Sequence, residues 1–196
     1  IWWERKKYGI NVESDIYDNP SWRYDTDIFY STHPLISEEE INNIITRVKA
    51  LIITSDNKIL LGHSFCEYQF PGGHVENNEA LLPALKRELE EETGLVFDTE
   101  NLEAFAVLKK YFKDYPSNGI NTKLLIYYYV IKDDRVPILK NTNYTLEELD
   151  GNFSLRYVPL DIVKCVINDN INTCGDVEGI AEEMLEILDC FFKINV

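Results

Sequence analysis

Leu82, Leu85 and Leu89 recur at helical spacing, and Glu88, Glu91 and Glu92 run beside them as a second stripe. The spacing predicts a helix over residues 79–93. Leu, Ala, Lys, Arg and Glu dominate there, Pro83 falls in the first turn where its missing N–H costs nothing, and Gly94 is the expected stop. Lys86 and Glu90 point the other way, to solvent.

Around this helix the pattern shortens. Residues 47–54 and 58–62 are apolar runs either side of Ser55-Asp56-Asn57, which predicts a hairpin. Residues 68–70 read as a short strand feeding the helix, and residues 102–111, 123–132 and 153–159 as further strands. The run from Leu124 to Ile131 is too continuous for an edge strand with one wet face, so it belongs in the middle of a sheet. Residues 161–168 predict a short helix. Residues 177–193 predict an amphipathic one, with Ile180, Met184, Leu185 and Leu188 turned inward. Ser37, followed by Glu38, Glu39 and Glu40, has the form of an N-cap and first turn, leading a helix toward Thr46. Strands mixed with helices in this order suit a compact α/β layer fold.

With 196 residues and 45% apolar content, the chain can bury one good core. No apolar run approaches the roughly 20 residues needed to cross a bilayer, so no membrane partner is expected. The stretch Ile1-Trp2-Trp3-Glu4-Arg5-Lys6-Lys7 lacks the apolar centre of a secretory signal, and a cytoplasmic location is the expectation. A formal net charge of −15 without a basic stripe excludes a long nucleic acid as partner. Cys66, Cys165, Cys174 and Cys190 form no CxxC pair, so zinc is not expected and idle thiols are. Residues 1–44 hold many aromatics, Trp2, Trp3, Trp22 and Tyr24 among them, which is a poor composition for disorder. This extension is expected to pack on the domain of residues 45–196 or on a second copy of the chain.

The acidic stripe brings in chemistry. Glu88, Glu91 and Glu92 lie at the edge of a buried face, where their mutual repulsion is costly without a cation. A divalent ion that prefers oxygen ligands, Mg²⁺ above all, suits such a cluster. A lone acidic stripe is usually a solvated face. Here it follows Pro71-Gly72-Gly73 and carries Arg87, which makes a metal–diphosphate site the better reading.

These residues have a fixed spacing: Gly73, then Glu79, then Arg87-Glu88-Leu89, Glu91-Glu92 and Gly94-Leu95. The segment 73–95 resembles the signature box of the Nudix hydrolases at every position, and residues 70–76 are similar to its usual lead-in. The resemblance implies an α/β/α sandwich with a mixed sheet, the box forming a loop–helix–loop. It also implies hydrolysis of a nucleoside diphosphate linked to another group, with Mg²⁺ or Mn²⁺. By the same resemblance Glu88, Glu91 and Glu92 hold metal, one of them helps deprotonate the attacking water, and a carbonyl at Gly72 or Gly73 joins the shell. Glu79 and Arg87 look like the pair that braces the loop against the helix. A later loop commonly adds a fourth acid or a base; Glu148 is the preferred candidate, with Glu147 or Asp133 and Asp134 as alternatives.

For substrate, Tyr111 lies sixteen residues beyond Leu95, a spacing similar to that of the dinucleoside polyphosphate group. ADP-ribose, a nucleotide sugar or a nucleoside triphosphate are the other candidates. His74 is placed either to touch a phosphate or to be a turn residue without a role. Two other functions share this background: a nucleotide-sensing module that binds without cutting, and a prenyl diphosphate isomerase. The intact box argues against the first, and the surroundings of Cys66 argue against the second.

Overall fold

The computed structural model describes residues 27–31, 36–176 and 179–194. Its centre is β2 (Asn43–Ile53) paired in parallel with β6 (Thr122–Lys132) over their full lengths, Asn43 opposite Thr122 and Ile53 opposite Lys132. β5 (Ala106–Phe112) runs antiparallel along the other side of β6, which therefore lies inside the sheet as its unbroken apolar run predicts. β1 (Asp27–Ser31) adds in parallel to β5. It comes from the segment 1–44; the rest of what was expected of that segment's aromatics lies outside the described residues. On the other flank β3 (Lys58–Ser64) pairs antiparallel with β2, β4 (Glu67–Gln69) and β7 (Ser154–Pro159).

Alternation along β2 sorts the two faces. Val48, Ala50 and Ile52 join Leu60 and, from helix α1 (Leu81–Thr93), Ala84, Leu85 and Leu89 in one buried cluster. Leu51 and Ile53, with Ile59, Leu61, Ile126 and Tyr128, face the other way. There they meet Val163 and Ile167 of α3 (Val163–Cys174) and Met184, Ile187 and Leu188 of α4 (Ile180–Ile194). The sheet is mixed and has helices on both faces, the sandwich that the resemblance implies. Each fully buried Leu of α1 contributes about 1.5–3 kcal/mol from area removed from water.

The structure corrects four expectations. The helix expected from Ser37 toward Thr46 is a single 3-10 turn, Glu38–Glu40. The capping box closes on itself there, with the Ser37 N–H donating to Glu40 at 2.8 Å. The following β-branched residues Ile44, Ile45 and Thr46 then belong to β2. The loop expected to carry Glu148 before β7 is instead a short helix, α2 (Leu146–Asp150). α3 extends to Cys174, beyond the expected end at 168. Two of the four cysteines are not idle thiols: Cys66, in the β3–β4 turn, is disulfide-bonded to Cys174 at the end of α3, with Cα atoms 6.1 Å apart. Cys165 and Cys190 are free. No helix among the described residues is long and apolar enough to cross a membrane.

Candidate functional site

The loop ahead of α1 is fastened to β2 by backbone pairing. The Ala50 N–H donates to Pro71 O at 2.8 Å, Val48 N–H to Gly73 O at 2.9 Å, and Val75 N–H to Thr46 O at 2.9 Å. Gly72 has φ +129°, a conformation a side chain resists, and a Cβ there would run into the Val48 carbonyl. Gly73 is small for a different reason: a Cβ would overlap the Glu88 carboxylate. The loop backbone therefore lies directly against the acidic stripe.

α1 then orients that stripe. Pro83 is its third residue, and Gly94 ends it in the left-handed region at φ +68°, its N–H donating to Glu90 O. Arg87 is the hub. It donates from Nε to Glu79 Oε1 at 3.0 Å, from Nη2 to Glu79 Oε2 at 2.8 Å and to the His74 carbonyl at 3.0 Å. From Nη1 it reaches Glu88 at 2.7 Å and Glu91 at 3.4 Å. Glu79 in turn accepts from the Glu76 N–H at 3.0 Å. Loop and helix are thus tied through one guanidinium, and the hydrogen-bonded Arg87 holds the Glu79 carboxyl below its ordinary range.

Glu92 is the unusual member. Its residue is only 3% exposed, and it accepts a hydrogen bond from the Gly72 N–H at 2.9 Å. Burial, with the nearby charges of Glu148 and Glu88, pushes its carboxyl well above the ordinary value. Burial raises Glu88 too, despite Arg87. A carboxylate this deep is stable as an anion only beside compensating positive charge. All the donors gathered here are hard oxygens, which fits a divalent ion of the Mg²⁺ type. Among the described residues no three acidic, His or Cys side chains already converge in ligating position. Glu88 and Glu91 are drawn to Arg87, Glu92 to Gly72, and Glu148 to the cap of its own helix.

Glu148 sits on α2, where it accepts from the Thr145 N–H at 2.6 Å and hydroxyl at 2.8 Å. Its charge is felt at both Glu88 and Glu92, so this part of the chain faces the acidic stripe. Glu147 influences His74 instead. Asp133 is taken up by Arg135 at 2.6 Å and Asp134 accepts from the Ser55 N–H at 2.6 Å, both serving turns. His74 forms a β-bridge with Arg47, and its Nε2 accepts from Arg47 Nε at 3.2 Å. Burial first, then Arg47, lowers its pKa. Tyr111 is on β5, with its hydroxyl hydrogen-bonded to Glu38 and Lys123 5.6 Å above its ring; these partners come from neither the loop nor the helix of the box.

Two features escaped the sequence reading. Tyr144 is half-buried, edge-on to Phe153 at 5.1 Å, and burial followed by the charges of Glu92 and Glu148 raises its hydroxyl pKa. Nothing in the local pattern marks it. Beneath β2, Lys49 is 3% exposed and pairs with Glu183 of α4 at 2.9 Å. Lys110 meets the same carboxylate at 2.8 Å, and the Tyr128 hydroxyl bonds to it as well. A lysine inside the apolar run 48–53 was the available signal.

The Gly73 contact gives a sharp test. Gly73→Ala is expected to leave folding stability within about 1 kcal/mol, since the obstacle is a side-chain end. Mg²⁺ affinity is expected to fall at least ~10-fold as Glu88 is displaced, measured by titration calorimetry. Unchanged affinity would show that Glu88 does not meet the ion.

Residues 45–168 match the family profile of the NUDIX domain. Solved structures that resemble the chain include the MutT protein from Bacillus halodurans, 21% identical over 61% of this chain and 71% of that one, with a TM-score of 0.47. A MutT NUDIX hydrolase from Burkholderia pseudomallei is 21% identical over 61% of this chain and 86% of that one, TM-score 0.46. The C. elegans Ap4A hydrolase is 16% identical over 78% of this chain and 99% of that one, TM-score 0.48. No curated protein matches the chain.

Proposed function

We infer, from the premise that this chain belongs to the Nudix family of diphosphate hydrolases, that Glu88, Glu91 and Glu92 gather Mg²⁺ or Mn²⁺ against a nucleoside diphosphate linked to another group and cut its diphosphate bond. The observation that carries the reading is the buried Glu92 carboxylate, held by the Gly72 N–H and surrounded by other acids. When bound, a divalent ion supplies positive charge against the diphosphate oxygens and makes water a better nucleophile at neutral pH. The chain's own part is positioning. Gly72 aims Glu92, Arg87 restrains Glu88 and Glu91, and the Gly73 carbonyl is the backbone donor. Arg87 acts on the site only through these carboxylates. Glu148, or one of the three glutamates, accepts the proton of the attacking water. Glu148 must first leave its cap at Thr145 to do so. Among linked groups, the spacing of Tyr111 favours dinucleoside polyphosphates.

A substrate panel tests this: Ap4A, ADP-ribose, NADH, a nucleotide sugar, CoA and nucleoside triphosphates, each with Mg²⁺ or Mn²⁺ at neutral and alkaline pH, products resolved chromatographically. Hydrolysis at a phosphoanhydride bond, abolished by chelator, is expected, with Ap4A the best substrate. Equal turnover in chelator would remove the metal from the mechanism. No product from any member would overturn the reading.

A further inference from the structure

β3 and β4 are joined by two residues, Phe65 and Cys66, with Ser64 opposite Glu67. Both sit in the left-handed region, at φ +46° and +72°. A two-residue hairpin turn requires that region, and glycine or asparagine ordinarily supplies it because a side chain resists it. Here a phenylalanine and a cysteine do so. Phe65 is 61% exposed, so burial of its ring offsets little of the backbone cost. The turn keeps its shape because neighbouring elements hold it.

Two elements do. From α3, Cys174 is bonded to Cys66, and the Asn170 side-chain N–H donates to the Cys66 carbonyl at 3.0 Å. From the end of α2, the Gly151 carbonyl accepts from the Phe65 N–H at 3.0 Å. A Cβ on Gly151 would overlap the Ser64 hydroxyl and the Phe65 ring, so the last turn of α2 lies flat against the hairpin. Glu148, three residues earlier, faces the acidic stripe. α2 is only five residues long and none of them is buried. A helix that short does not persist alone, so its place depends on the cap at Thr145 and on the hairpin it leans against.

Cys66 is exposed, which opens its sulfur to an attacking thiolate. We propose that the Cys66–Cys174 bond is a thiol-exchange site whose state sets the position of α2, and with it the rate of hydrolysis. Closed, the bond holds the hairpin that α2 rests on. Opening needs a dithiol. One of its thiolates attacks the Cys66 sulfur, forming a mixed disulfide and releasing Cys174, which takes up a proton. The second thiolate then displaces Cys66, which is protonated in turn. Two electrons and two protons have passed to the protein, and the dithiol has become a disulfide. The effect on turnover rests on the hydrolase reading above; the coupling of the bond to α2 does not.

The test compares oxidised protein with protein reduced by dithiothreitol and desalted, its free thiols counted by alkylation and mass spectrometry. Reduction should open Cys66 and Cys174 to the alkylating reagent and speed hydrogen exchange at the amides of residues 148–153 at least ~10-fold. At saturating Mg²⁺, kcat should fall at least ~10-fold, the low end of what a misplaced proton acceptor costs, and should return on reoxidation. That return separates the effect from irreversible misfolding. Cys174→Ser should behave as the reduced protein and ignore dithiothreitol. Cys165→Ser, which removes an exposed free thiol, should respond as the wild type does. Unpaired Cys66 and Cys174 in the oxidised protein, or unchanged exchange or unchanged kcat on reduction, would overturn the proposal. Faster exchange in α2 with no turnover in either state would overturn the hydrolase reading and leave the redox coupling standing.

Discussion

Glu92→Gln is expected to lower kcat by at least ~10²-fold at saturating Mg²⁺, the scale on which groups that stabilise charge act in a transition state. The substitution is nearly isosteric, and the amide oxygen can still accept from the Gly72 N–H, so the loop stays in place. What disappears is a negative charge buried to 3% exposure. Stability therefore separates this loss from misfolding. The metal-free variant should melt no lower than the wild type, because a charge has been removed from a place that disfavours it. The gain in Tm on adding Mg²⁺ should shrink. The pH dependence has a definite sign. Glu92 is raised, so in the metal-free wild type its contribution is fully present below the ordinary value of 4.5 and is lost as pH rises through the folded-state value. In Glu92→Gln that decline should be reduced. Glu91→Gln should lower kcat on the same scale. Retained turnover in either purified variant would sink the assigned roles.

Glu183→Leu carries the largest expected cost in stability, about 3–5 kcal/mol by denaturant titration, because it strips the counter-charge from a buried ammonium. Lys49 is 3% exposed, and Glu183 is its ion-pair partner among the described residues. Burial alone would push the Glu183 carboxyl up. Lys49 and Lys110, with hydrogen bonds from Lys110 and Tyr128, outweigh it and bring it down to about 2. Because the folded-state value is depressed, this stability is present above pH 4.5 and is lost as pH falls toward 2. Acid titration of the variant should lack that limb. A variant as stable as wild type at neutral pH would mean that Lys49 finds another partner.

Local signals carried the site. The stripe of Leu82, Leu85 and Leu89, the stop at Gly94 and the carboxylate spacing are all set within one helix, where residues four apart in sequence are neighbours in space. The interior place of β6 was legible for the same reason, since its apolar run needs no partner to be read. What failed was non-local. The cap at Ser37 is genuine, but one turn satisfies it, and pairing of β2 along the whole of β6 then decides the conformation of residues 43–46. At Thr145 the opposite happened: a capping box with Glu148 was in the sequence, yet the stretch was expected to be a loop. The pairs Lys49–Glu183 and Cys66–Cys174 are separated by 134 and 108 residues, beyond the reach of any periodicity.

The bond between Lys49 and Glu183 also bears on how the chain is made. β2, whose residues Val48 and Ala50 grip the glycine loop, holds a cation whose counter-ion is translated 134 residues later. A nascent chain that has emerged through β7 already possesses the box and the capped α2, yet lacks both the carboxylate that pairs with Lys49 and the helix that buries it. Closure of this face of the sheet thus waits for α4, a segment made far along the chain from the strand that needs it.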